Sequence, residues 1–370
     1  MEKSRPTLRD VARRADRSVT QVSRALNGYS DVSESTRRVV QEAAEALGYV
    51  PNIQARQLKM PQLRTGAVGI VLPATTLSFS YPFVGSLVAG FIREANGRRV
   101  EVDISTVSAE SAELMTYKRA IQQRRVDGFL LLRTRRDDER IAFLRAEGVP
   151  FATFGRAELD RGVGPDSGGV AAEDDEDQRG DGSGVPYHPE VDDSDDCMLA
   201  VVQHLVELGH TRIGCVAEPA GFARSDLRRR SLLTAAADHG IAISPDDVVV
   251  DDFHQDSGWR GGHTLLGRDP GDRPTAVVGL NDVLAIGVIG AATERGLRVP
   301  EDVSVTGFDD VPLAALAQPP LTTLSQPAER IGGELAARLL DHIETGSPDR
   351  PAPLLLRPPL VVRRSTAAPS

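Results

Sequence analysis

The sequence predicts an α/β protein in which a small helical module precedes a two-lobed body of parallel sheets flanked by helices. Three observations carry this. At 370 residues the chain exceeds the usual size of one hydrophobic core, so more than one folding unit is expected. Residues 7–48 show helical periodicity and helix caps without a strand-like run. From Gly66 onward, short apolar runs alternate with stretches of 3.6-residue period, the pattern of parallel strands covered by crossover helices.

In the first module, Leu8, Val11, Ala12 and Ala15 recur at i, i+3, i+4 and i+7, with Thr7 as N-cap and Asp10 three residues on. A second helix opens at Ser18, where Ser-Val-Thr-Gln forms a capping box, and stops at Asn27-Gly28. The third runs from an N-cap at Ser33 to Gly48 and turns Val40, Ala43, Ala44 and Leu47 inward. Only Asp16-Arg17 separates the first two helices, so the segment reads as a helix-turn-helix braced by a third helix. Asp16 tolerates the left-handed conformation such a turn requires, and the Arg17 methylenes can lie over the core with the charge outward.

The strand-like runs beyond it are 67–72, 100–104, 127–132, 150–154, 212–217, 248–252, 276–280 and 303–308. They divide near 155–196 into two similar halves, which predicts two lobes with a cleft between them. The expected organisation is a helix-turn-helix module over 1–50, a linker over 51–64, and a core over 65–370. An acidic insertion at about 158–186 interrupts the core. Within it, residues 160–184 hold seven Gly, no aromatic residue and dense acid, a composition that cannot offset its ordering entropy, so a disordered surface loop is expected. A calcium site is the sharper alternative, but the acids lack the spacing of a calcium loop.

Charge follows the same divisions. The net charge is −10, yet residues 1–60 carry eleven Lys/Arg against seven Asp/Glu, and residues 158–196 carry fourteen acids against Arg161 and Arg179. The acidity is therefore local, and the amino-terminal face is basic enough to neutralise phosphates. No apolar leader precedes residue 60 and no run reaches bilayer length, so a cytoplasmic protein without membrane association is expected. Cys197 and Cys215 form no spaced cluster, which points to buried free thiols and away from disulfides or zinc. No cofactor is expected.

The stretch TLRDVARRADRSVTQVSRALNG, followed by VSESTRRVVQEAAEALGYVPNIQARQL, resembles the DNA-binding headpiece and hinge of the lactose-repressor family. YPFVGSLVAGF, HLVELGHTRIG, LNDVLAIGVIGAATERGLRVPEDVSVTGFDD and LTTLSQP are similar to that family's effector core, a two-lobed periplasmic-binding-protein-like architecture. The resemblance covers most of residues 7–345. It implies that Val19, Thr20 and Arg24 read base edges, with Ser18, Gln21 and Ser23 positioning the backbone. Arg24 suits a bidentate contact to guanine, and Val19 and Thr20 offer methyl groups to thymine. The turn departs from the family in having Asp16 where Gly is common and Arg17 where an aliphatic residue is common. In the hinge-like segment the resemblance makes Leu58 a minor-groove wedge, with Asn52 and Ala55 near the backbone and groove floor. A segment of about nine residues is too short to be helical alone in water, so it should order only with DNA and dimer together.

For a small ligand, the resemblance implies Arg228, Asn281, Asp309 and Gln326, with Phe83 as an aromatic wall. Arg228 and Asp309 suit two-pronged contacts to neighbouring hydroxyls. Asn281 also fits an N-cap, and Asp309 a cap for the turn after its strand. Gly155 and Leu132 supply no polar group where an acid and an amide would stand, which leaves Arg133, Arg156 and Trp259 as weaker candidates. A sugar is the leading effector class, with a nucleobase or sugar phosphate as alternatives. Enzyme readings find no G-x-G-x-x-G after a strand and no Walker loop, and His210 in LGH looks structural. A secreted sugar receptor would require a signal peptide in place of a helix-turn-helix. With no leucine heptad after residue 345, a homodimer on palindromic operator DNA is expected, without a tetramer tail.

Overall fold

The computed structural model describes residues 6–26, 29, 31–49, 64–73, 82–108, 112–156, 189–346 and 353–370. Asn27-Gly28, the hinge residues Asn52, Ala55 and Leu58, and the insertion at 158–186 lie outside them. The chain divides into two compact units, Met1–Thr65 and Gly66–Ser370.

In the first unit, α1 (Leu8–Ala15), α2 (Val19–Leu26) and α3 (Glu34–Leu47) close around Val11, Ala12, Ala15, Val22, Ala25, Val40, Ala43 and Ala44. The caps form as their residue types dictate. The Thr7 hydroxyl donates to the Asp10 carboxylate at 2.7 Å, and the Gln21 N–H donates to the Ser18 hydroxyl at 3.2 Å. Asp16 makes the turn between α1 and α2 at φ 48°, and the Arg17 guanidinium donates to its carbonyl at 2.7 Å. Arg17 is exposed, and its guanidinium ties the turn from outside. Gly48 closes α3 at φ 65°.

The second unit contains two six-stranded sheets. The first lobe holds β1 (Ala67–Pro73), β2 (Glu101–Val107), β3 (Phe129–Leu131), β4 (Phe151–Phe154) and β5 (Glu190–Asp193), with α4 (Pro82–Gly97), α5 (Glu113–Gln122) and α6 (Glu139–Ala146). The second lobe holds α7 (Leu199–Glu207), β6 (Ile213–Ala217), α8 (Ala223–Asp238), β7 (Val248–Val250), α9 (Gln255–Leu266), β8 (Ala276–Gly279), α10 (Asp282–Glu294), β9 (Ser304–Asp309), α11 (Pro312–Leu316) and β10 (Thr322–Ser325). The chain then returns: α12 (Ala328–Thr345) packs on the first lobe, β11 (Leu354–Leu356) pairs with β5, and β12 (Leu360–Val361) pairs with β10. The lobes are thus not the contiguous halves the strand pattern predicts. The chain passes between them three times.

All recorded strand pairs are parallel except β10 with β12, and both faces of each sheet carry an apolar cluster. That is why β1 reads as a nearly continuous apolar run. Glycine sets the closest helix crossings. A Cβ on Gly90 of α4 would stand 1.9 Å from the Glu329 carbonyl oxygen of α12, and one on Gly258 of α9 would stand 2.1 Å from that of Leu284 in α10. Both cysteines are buried and unbridged, and burial pushes each thiol up to about 12. No helix among the described residues is long and apolar enough to cross a membrane.

Candidate functional site

Two sites emerge, one in each unit. In the headpiece, α2 presents Val19 to solvent with 42 % of its surface exposed, although its neighbour Val22 is fully buried. An exposed valine at the first turn of a capped helix is available for contact and contributes nothing to the core. Thr20 and Gln21 are exposed beside it, Ser18 holds the cap, and Ser23 and Arg24 are half-buried toward the end of α2. Arg24 is held by two neighbours: its Nε donates to Asp31 at 3.3 Å with Nη2 on the other carboxylate oxygen, and its guanidinium lies 4.6 Å from the Tyr29 ring centre.

Between the two lobes of the second unit lies a cavity of about 100 Å³, lined by Phe83, Phe154, Phe222 and Phe253 with Arg133, Arg224, Arg228, Glu218 and Asp309 among its polar groups. The polar floor is built where the chain changes lobes. Asp193, the last residue of β5, accepts from Arg224 at 2.7 Å and from Arg228 Nε at 3.0 Å, and also takes the Gln326 amide. Arg228 continues to Asp309 at 3.0 Å and to the Leu280 carbonyl at 2.9 Å, with its guanidinium 3.6 Å from the Phe308 ring centre. Burial alone would raise the Asp193 carboxyl, but Arg224 and Arg228 outweigh it and hold the group below its ordinary value. Asp309 is different: burial pushes it well up. Its Oδ2 has no hydrogen-bond partner, nor does Arg224 Nη1. One cavity therefore offers two polar atoms without a hydrogen-bond partner, Arg224 Nη1 and Asp309 Oδ2, beside apolar ring faces.

Above the cavity, the 133–136 loop of the first lobe straps onto the second. Thr134 O accepts from Ala223 N–H, Arg136 N–H donates to Gly221 O, both at 2.9 Å, and the Arg136 side chain pairs with buried Asp226 at 3.0 Å. Arg133 lies 4.8 and 5.0 Å from the Phe222 and Phe253 ring centres. The loop is anchored by Arg140, which binds Asp138, Glu113 at 3.1 Å and the Arg133 carbonyl at 2.9 Å.

Of the residues expected around a ligand, Phe83, Arg228 and Asp309 line this cavity, and Gln326 lines an adjoining recess that also reaches Phe83 and Asp309. Asn281 lines neither. Its Oδ1 caps α10 by accepting from Leu284 N–H at 2.8 Å, and its amide donates to Glu218 at 2.8 Å, so it orients a lining carboxylate. The capping task offered to Asp309 belongs to Asp282, which accepts from Val311 N–H at 2.7 Å. Arg133 lines the cavity, Arg156 is bound to Asp192 and Asp195, and Trp259 packs edge-on to His263 away from the lining. Sequence reasoning missed Asp193 and Arg224. Gly155, at φ 109°, is closely approached from two sides: a Cβ there would sit 2.4 Å from the Thr134 Oγ1 and 3.0 Å from the Arg224 Cγ. His210 is structural, bonded to Thr275 at 2.9 Å and to Ser304 and the Ala367 carbonyl at 3.0 Å.

A capped helix-turn-helix together with a two-lobed, cleft-bearing core defines the class of ligand-responsive DNA-binding regulators. The comparisons agree. Residues 7–52 match the model for bacterial regulatory proteins of the lacI family, and residues 202–366 match a periplasmic binding protein-like domain. The chain is 30 % identical over 361 residues to the HTH-type transcriptional repressor PurR of Aliivibrio salmonicida, covering 97 % of this chain and 98 % of that one. Among solved structures, it is similar to a lac repressor dimer bound to operator and the anti-inducer ONPF (TM-score 0.77, 28 % identity, 98 % and 99 % covered). It is also similar to a complex of the regulator CelR with cellobiose (TM-score 0.68, 31 % identity, 98 % and 100 % covered). The chain belongs to the LacI family of bacterial transcriptional regulators; it is a DNA-binding protein and not an enzyme.

Proposed function

We propose that this regulator is a cytoplasmic homodimeric repressor whose grip on a palindromic operator is set by a small carbohydrate held between its lobes. Val19, Thr20 and Arg24 read base edges, while Ser18, Gln21 and Ser23 position the phosphate backbone. Asn52, Ala55 and Leu58 follow as the minor-groove segment. The observation that carries the ligand reading is the pair of unpartnered atoms, Arg224 Nη1 and Asp309 Oδ2, on one phenylalanine-walled cavity. A hydroxyl both donates and accepts, so neighbouring hydroxyls on one ring answer both atoms while the ring faces meet Phe83 and Phe154. CelR with cellobiose supplies a relative of this shape holding a sugar. Four phenylalanine rings also favour a second reading, a flat nucleobase, whose ring nitrogens and carbonyls carry the same donor and acceptor pair.

The cavity of about 100 Å³ is smaller than the roughly 300 Å³ or more of ordinary ligand pockets, but it adjoins a recess of about 500 Å³ that shares Phe83 and Asp309. A ligand that reaches from that recess to Arg133 and Thr134 competes with the 133–136 strap. Ligand binding then trades strap contacts against ligand contacts, which is the differential affinity that allosteric control requires. Mobility shift on genomic fragments tests the DNA arm: Arg24→Ala should weaken operator binding roughly 5- to 150-fold, the range of one bidentate base contact. Unchanged binding removes the arm. Thermal-shift screening of sugars and nucleobases tests the other, and hits that survive Asp309→Ala undiminished would move the ligand elsewhere.

A further inference from the structure

We infer that Asp31 is a specificity-determining residue: it fixes the edge of the Arg24 guanidinium that meets the base. The inference rests on the base-reading role proposed above for Arg24. A guanidinium has five N–H donors in a rigid fork but turns freely on its stem, so an isolated arginine offers a base no single edge. Here the fork is oriented. Asp31 takes Nε at 3.3 Å through one oxygen and Nη2 through the other, which leaves Nη1 and the second Nη2 hydrogen outward. That remaining pair is the end-on edge that spans guanine O6 and N7. Tyr29 supports the guanidinium face at 4.6 Å.

The support is itself fixed to the headpiece. Tyr29 N–H donates to the Arg24 carbonyl at 3.2 Å, and Arg37 of α3 donates to the Tyr29 carbonyl at 3.0 Å. Asp31 stands two residues before Ser33, which caps α3 by accepting from Thr36 N–H. The Arg24 and Asp31 side chains are 41 % and 56 % exposed, too open for the pair to add much to folding. Its effect lies in orientation. A carboxylate on a phosphate-facing surface also repels any duplex that offers no compensating base contact. Asp31 therefore weakens non-specific binding while sharpening choice at one base pair.

Those two effects have opposite signs in affinity, and a merely structural role produces neither. The full chain is used to select duplexes from a random pool. Fluorescence anisotropy at one salt concentration then compares the selected site, the same site with its preferred guanine pair replaced, and a scrambled duplex. Arg24→Ala should abolish the preference at that pair. Asp31→Asn and Asp31→Ala should keep the same preferred base, cut its discrimination at least threefold, and bind the scrambled duplex more tightly than wild type, with helical circular dichroism unchanged. Wild-type discrimination in both Asp31 variants overturns the inference, as does lost discrimination accompanied by weaker scrambled binding. Should Arg24→Ala keep the wild-type preference, the base-reading assignment itself fails instead.

Discussion

Replacing Asp193 by Asn tests whether the lobe junction is held by a buried charge cluster. The carboxylate is fully buried, with Arg228 at 5 % and Arg224 at 13 % side-chain exposure against it. Asn preserves the shape and one acceptor oxygen but leaves two guanidiniums facing a neutral amide. Asp309, which burial pushes toward its neutral form, compensates poorly for the lost charge. Breaking a buried ion pair by removing one partner costs about 3–5 kcal/mol. The retained acceptor places Asp193→Asn near the low end, about 3 kcal/mol, or roughly 5 °C in melting temperature for the unit Gly66–Ser370. Urea and thermal unfolding of the full chain, followed by circular dichroism at 0.1 and 1 M salt, measure it. The loss should survive high salt, because bulk ions do not screen a buried cluster. The exposed pair Arg93–Glu329, at 69 % and 54 % exposure, is the control: Glu329→Ala should cost under about 1 kcal/mol and less in salt. A loss below about 1 kcal/mol for Asp193→Asn, or one erased by salt, would refute the reasoning.

Gly90→Ala places a methyl against the backbone of α12, where no side chain can move aside, so the destabilisation should reach the top of the overpacking range, about 3 kcal/mol, in chemical denaturation. A wild-type midpoint would show that α4 and α12 separate without cost. The buried Asp282 carboxyl is raised by burial from 3.8 to about 7. A raised folded-state value means its contribution to stability is full below 3.8, falls as pH rises, and is gone above about 7, at up to about 1.4 kcal/mol per pH unit. Asp282→Asn should therefore flatten the stability profile across that window, and an unaltered profile would assign the slope to other groups.

What the sequence disclosed and what it withheld divide along one physical line. The headpiece was legible because each of its signals is local: a cap bonds three residues on, and an inward face repeats every turn. β1, β3, β4, β6, β8 and β9 were legible because strands buried on both faces must be apolar, while the edge strands β2 and β7, half-buried or exposed at most positions, were legible only as short valine- and isoleucine-bearing runs. β5 obeys the same burial with the opposite composition, Glu-Val-Asp-Asp, and all four residues are buried. Counted along the chain, its carboxylates belong to an acidic surface run. In space, Asp193 answers Arg224 and Arg228, more than thirty residues later on α8. A buried charge is permitted only by its partner, so a reading that takes one segment at a time assigns such a strand to solvent. The cleft shows the same division. Phe83 and Asp309 followed from resemblance because they stand in matching motifs, and Arg228 followed as a matching position. Arg224 did not, because its place is set by a carboxylate on the other lobe, Asp193 at 2.7 Å. The Arg-rich run on α8 was the available signal: several arginines on a helix beside strands ending in acids need interior partners, and the nearest unassigned carboxylates were those of β5.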